Sequence, residues 1–116
     1  MEKIDLKIRY VKLINIYKEL LTHTQSDILV DYYCYDLSYS EIADNRNVSR
    51  AAIEDAIKKG VKKLDEFESK LHILENNQEI LKITAEIKKT CTNNEHLQNL
   101  ETIERKVNNG IWITYR

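Results

Sequence analysis

Arg50, Lys58, Lys59, Lys62 and Lys63 crowd into the short stretch "SRAAIEDAIKKGVKKL", and clustered cations of this kind are suited to holding phosphates. Ser49 precedes them at the position of a helix cap, so Arg50 and Ala51 open a helical turn. A first-turn arginine can take a phosphate or the edge of a guanine. Lys58, Lys59, Lys62 and Lys63 follow one and more turns later, where they can meet a phosphate backbone. Glu54 and Asp55 lie between them and complicate the picture. Either carboxylate can accept from a cytosine amino group, yet each repels nearby phosphates. The same residues also read as the solvated face of an amphipathic helix, with Glu54–Lys58 and Asp55–Lys59 as i,i+4 pairs. Both readings stand at this point. The candidate nucleic-acid-binding set is Ser49, Arg50, Ala51, Glu54, Asp55, Lys58, Lys59 and Lys62.

No other chemistry is written into the chain. It carries no glycine-rich phosphate loop, nucleophile motif or paired-carboxylate constellation, so a non-enzyme without a cofactor is expected. His23, His72 and His96 are widely separated and lack cysteine or carboxylate partners at ligand spacing, so no metal is expected. Tyr32, Tyr33, Tyr35 and Tyr39 can stack on bases, but such a cluster is more often half-buried packing between helices. Cys34 and Cys91 are far apart and outside any CxxC pair, which fits a reducing cytosol. The opening "MEKIDLKIRY" lacks the features of a signal peptide, and no apolar run approaches the ~20 residues of a membrane span. The expectation is a cytoplasmic protein.

The elements that must position these residues are helices. There is no proline, only two glycines, and 32% of the residues are charged, so long helices and an all-α fold are expected. The net charge is -1, unlike many plainly basic DNA-binding domains. Residues 49–71 are nevertheless positive, with six basic and five acidic groups. The 116 residues suit one domain: an N-terminal helix over 1–22, a core over 23–74 and a helical extension over 75–116.

Leu6, Tyr10, Leu13, Tyr17 and Leu20 share a helical stripe. Thr24 is positioned to cap a second helix, and Ser38-x-x-Glu41 spells a capping box for a third. Asn47 stands where the chain must turn sharply, and asparagine tolerates left-handed dihedrals. Ser49 caps the helix that follows, expected to run through Leu74. Ile42 and Ala43, then Val48 in the turn, then Ala52, Ile53 and Ile57 would form the inner surface of a helix-turn-helix unit. Gly60 falls inside the long helix, where a bend or a close contact would explain it. "ENNQ" and "TCTNNE" read as breaks, and the tail "NNGIWITYR" as strand-like, with Trp112 docking on a helix or a second subunit.

From Thr24-Gln25 through "YDLSYSEIADNRNVSRAAIEDAIKKGVKKLDEFESKLH" the chain resembles the YlxM-type small helix-turn-helix proteins, over roughly residues 8 to 75. "SYSEIA", "NVSRAAIEDAIKK" and "LDEFESKLH" carry the resemblance; it departs at Asn47, where glycine is common, and at Gly60. The resemblance implies a winged-helix-like core similar to the DNA-binding end region of bacterial sigma factors. It also implies a regulatory protein that binds DNA or RNA and acts in the signal recognition particle pathway. The alternative is a module that binds the targeting particle or its GTPase without reading DNA. A homodimer is expected as well, because the seam Ile57, Leu64, Phe67 and Leu71 and the stripes around Ile83, Ile87, Leu100 and Ile103 exceed what a short helix-turn-helix covers.

Overall fold

The computed structural model describes residues 3–108, so the tail with Gly110 and Trp112 lies outside the described residues. Six α-helices occupy them: α1 (Lys3–Tyr17), α2 (His23–Tyr33), α3 (Tyr39–Arg46), α4 (Arg50–Leu71), α5 (Ile73–Thr90) and α6 (Asn94–Val107). A 3₁₀ turn, Lys18–Leu20, links α1 to α2. No strand is present among the described residues, so the core has no wing there.

The helix starts are set by side-chain caps. Thr22, not Thr24, caps α2, its side chain accepting from the Gln25 amide, so the helix begins two residues earlier than expected. The box at α3 is complete: Ser38 Oγ accepts from the Glu41 amide and Glu41 Oε1 accepts from the Ser38 amide, each at 3.1 Å. Asn47 is left-handed, φ 56° and ψ 42°, and its amide closes the end of α3 on the carbonyls of Ala43 and Asp44.

The chain divides into two units between Leu71 and His72. In the first, α1, α2 and α3 pack on α4, around Leu13, Ile14, Leu29, Ile42, Ile53 and Leu64, none more than 1% exposed. A polar contact is sealed into this core: Tyr17 Oη donates to Glu68 Oε1 at 2.7 Å. The seam of α4 is used within this unit. Ile57 and Leu64 are buried, and the Phe67 ring meets Tyr17 with 5.7 Å between centroids. That removes most of α4 from any shared core and leaves Leu71 half exposed at its end. The helix stops there, short of Leu74, because His72 turns left-handed at φ 54°. "ENNQ" lies inside α5 and breaks nothing; asparagine and glutamine are only mildly weak helix formers, and neighbouring turns carry them.

The second unit is a two-helix hairpin. Thr84 Oγ1 and Lys88 Nζ on α5 both donate to the Glu104 carboxylate on α6, at 3.0 and 3.1 Å. Those bonds, Lys88 first, hold the Glu104 carboxyl below its ordinary pKa. Leu74, Thr84 and Leu100 are buried, whereas Ile80, Ile83, Ile87 and Ile103 stay 39–58% exposed.

Gly60 is explained by close contact. A Cβ there would stand 2.8 Å from Leu29 Cδ1 and 3.1 Å from its Cγ, and Leu29 is fully buried. Gly60→Ala is therefore expected to lower stability by about 1 kcal/mol in urea denaturation, overpacking outweighing the helix-propensity gain of alanine. Combined with Leu29→Ala, which vacates the space, the same change should become favourable.

Candidate nucleic-acid interface

The turn that presents α4 is held by a backbone bond and a side-chain cap. The Val48 amide donates to Ala43 O at 3.1 Å, and Ser49 Oγ accepts from the Ala52 amide at 3.0 Å. Ile42, Ala43, Ile53 and Ile57 form the inner face as expected. Val48 and Ala52 do not. Val48 is 46% exposed because the left-handed Asn47 directs the chain away from the core. Ala52 is also exposed; it lies about 100° round the helix from the inward Ile53.

The eight candidate residues divide by role. Ser49 spends its hydroxyl on the cap. Ala51, Asp55, Lys58, Lys59 and Lys62 share the outward face of α4, and Glu54 sits half-buried at its edge. Lys58 reaches Glu54 at 3.6 Å and Lys59 reaches Asp55 at 2.9 Å, so both i,i+4 pairs are formed. Exposed pairs of this type contribute little and are readily exchanged for another anion. Lys62 makes no ion pair among the described residues, and Lys63 donates to Gln25 Oε1 at 3.3 Å. Across residues 49–63 five cations stand against two carboxylates.

Arg50 is placed differently from the lysines. Its guanidinium carbon lies 5.7 Å from the centre of the Tyr39 ring. Tyr39 stacks on Tyr32 at 5.0 Å and 23°, and Tyr32 meets Tyr33 edge-on at 4.9 Å. Such contact pre-orients a guanidinium that would otherwise be mobile. Tyr39 was absent from the candidate set. Its signal in the sequence is its place: Tyr39 and Arg50 are each the first helical residue after a capping serine. Arg46, paired with Asp31 at 3.6 Å, is a second cation beside the turn that spacing alone did not single out. Three of the four clustered tyrosines are packing residues, joined by Tyr10 at 5.4 Å from Tyr33; Tyr35 is 69% exposed and stands apart.

The histidines differ from expectation in one respect. His23 and His72 each meet a carboxylate, Asp27 at 3.3 Å and Glu75 at 3.0 Å, because i,i+4 and i,i+3 neighbours share a helix face. Among the described residues no group of three or more potential ligands could hold a metal ion, and no helix is long and apolar enough to cross a membrane.

Comparison with known proteins fits this geometry. Residues 4–103 match the family described as "Putative helix-turn-helix protein, YlxM / p13 like", UPF0122. The chain belongs to this family. A UPF0122 protein of Fusobacterium nucleatum is 40% identical over 86% of this chain and 93% of its own length. Another, from Bacillus thuringiensis, is 38% identical over 80% of this chain and 89% of its own. A third, from Malacoplasma penetrans, is 50% identical over 64% and 68%. No solved structure matches the chain. For this UPF0122 chain the helix-turn-helix assignment thus rests on sequence kinship and on geometry together.

The tyrosine packing makes an alkaline prediction. Burial, then the neighbouring tyrosines, raises the Tyr33 hydroxyl from 10.0 to about 12. Tyr10 is raised by burial and its bond to Asp65, and Tyr39 by its bond to Tyr32. A raised pKa means the folded state favours the neutral phenol. Its contribution to stability is whole below pH 10 and is lost as pH climbs through about 12. Stability measured by denaturant should fall across that window, and Tyr33→Phe should fall less steeply.

Proposed function

We propose that the chain is a regulatory protein that binds nucleic acid, duplex DNA first, through residues 49–62 at the turn and start of α4. One observation carries this reading: a capped helix, presented by a tight turn, offers Lys58, Lys59 and Lys62 on its outward face with Arg50 held over Tyr39 at its start. The two carboxylates moderate the charge without cancelling it. Lys62, which has no carboxylate to leave, is the cleanest phosphate contact. Lys62→Ala is expected to weaken binding evenly across sequences and to reduce the salt slope by about one unit. Glu54→Gln should strengthen binding, since it removes a repelling charge and frees Lys58. Absence of duplex binding at low salt sinks the reading. Tighter binding to the RNA or the GTPase of the signal recognition particle, measured in the same titration, would move the function to that pathway.

The proposal includes a homodimer joined through the α5–α6 hairpin. The α4 seam is already covered, so the support now comes from Ile80, Ile83, Ile87 and Ile103. A hairpin of this size buries few side chains by itself, and a contiguous apolar row is seldom left to water. A second copy offers the same row, as a two-fold interface requires. Two recognition helices could then serve half-sites ~34 Å apart. Sedimentation equilibrium should show a dimer, and Ile83→Asp should give a monomer of unchanged helicity. A wild-type monomer at micromolar concentration refutes the shared interface.

A further inference from the structure

The first unit also carries a concavity. It is an open cavity of about 580 Å³ between α1 and the segment that joins α2 to α3. Tyr10, Tyr32 and Tyr33 wall it, with Leu6 and Leu37 completing the apolar surface. Lys7 and Asp36 stand at its edge and pair with each other. The size falls within the range of small-molecule sites, which are mostly aromatic and apolar with a few converging polar groups.

The walls are fixed rather than loose. Tyr10 is anchored at its hydroxyl, which donates to Asp65 at 3.1 Å, and its ring rests 5.4 Å from that of Tyr33. Asp36 is held in a left-handed conformation, φ 57°, by a turn in which the Leu37 amide donates to Asp31 O at 3.1 Å. Its carboxylate is thereby kept over the cavity edge opposite Lys7.

The charges decide what fits. A lone cation entering here competes with Lys7 for Asp36, and a lone anion competes with Asp36 for Lys7. A molecule with both charges satisfies both partners at once and leaves no charge unpaired. Flat tyrosine walls favour a ring at the other end, since offset or edge-on aromatic contact adds to plain burial. We infer that this cavity is a binding site for a small aromatic zwitterion: carboxylate on Lys7, ammonium on Asp36, ring against Tyr10 and Tyr33.

The site also has a route to α4. Tyr33 touches Tyr32, Tyr32 stacks on Tyr39, and Tyr39 carries Arg50. A ring seated against Tyr33 shifts the first member of that series, and Arg50 is the last. This coupling rests on the nucleic-acid reading for its purpose, but occupancy of the cavity does not.

The test is a titration of the full chain with L-tryptophan, followed by the NMR signals of the tyrosine rings and the Arg50 side chain. Saturable shifts at Tyr10, Tyr32 and Tyr33 are expected. Tryptamine, indole-3-propionate, and the variants Lys7→Gln and Asp36→Asn should each weaken binding about tenfold. Both variants change exposed side chains, and asparagine tolerates the left-handed turn, so helicity should hold. No saturable shift at millimolar tryptophan overturns the site, and equal binding of plain indole overturns the role of the charged pair. Saturation with an unmoved Arg50 signal overturns the coupling alone, and it leaves duplex affinity to be judged separately.

Discussion

The close approach of α2 to α4 at Gly60 is the constraint on which the first unit depends. Leu29 occupies the space where any other residue would carry a Cβ, and it is fully buried there. That contact fixes the depth at which α4 lies against α2. Once the depth is set, α4 also meets α3 and α1, and Glu68 and Phe67 reach Tyr17 on α1. A glycine in mid-helix weakens the helix by about 1 kcal/mol; the packing it admits is worth more. The start of α4, with Arg50, is therefore positioned by a residue almost three turns further along.

Polar groups fix the same arrangement more narrowly. Burying a carboxylate without a partner is costly, so Glu68 demands the Tyr17 hydroxyl that meets it. Apolar contacts tolerate small slips between helices, whereas a 2.7 Å hydrogen bond does not. Tyr10 and Asp65 repeat the device two turns earlier on α1 and one turn earlier on α4. Two tyrosine–carboxylate bonds thus set the register of α1 on α4, while Gly60 sets the separation from α2.

Much of this was legible in the residues. Capping serines, the turn at Asn47 and the inward faces of α3 and α4 follow from local chemistry, which operates over three or four residues. Gly60 was legible as an exception but not in its partner, because Leu29 is 31 residues away and nothing local names it. The same limit hid the fate of the α4 seam. Heptad spacing marks an apolar face, but only the fold shows that α1 covers it. Arg50 over Tyr39 was missed for a related reason, since the two residues meet across the turn and belong to different helices. The end of α4 at His72 had no apolar or glycine signal at all.

Among the described residues three that carry a Cβ, Asp36, Asn47 and His72, have positive φ and make sharp bends. In the folded chain a left-handed side chain costs on the order of 1 kcal/mol, less for Asn and Asp. The unfolded chain answers for part of it. A residue with a Cβ has fewer conformations to return to than glycine, and that entropy difference offsets some of the left-handed strain without cancelling it. With two glycines in 116 residues, few positions of the denatured chain gain glycine's extra freedom on opening, although the absence of proline removes the opposite restraint. Part of what keeps this small protein folded is therefore absent from its contacts and resides in the disorder it does not have available.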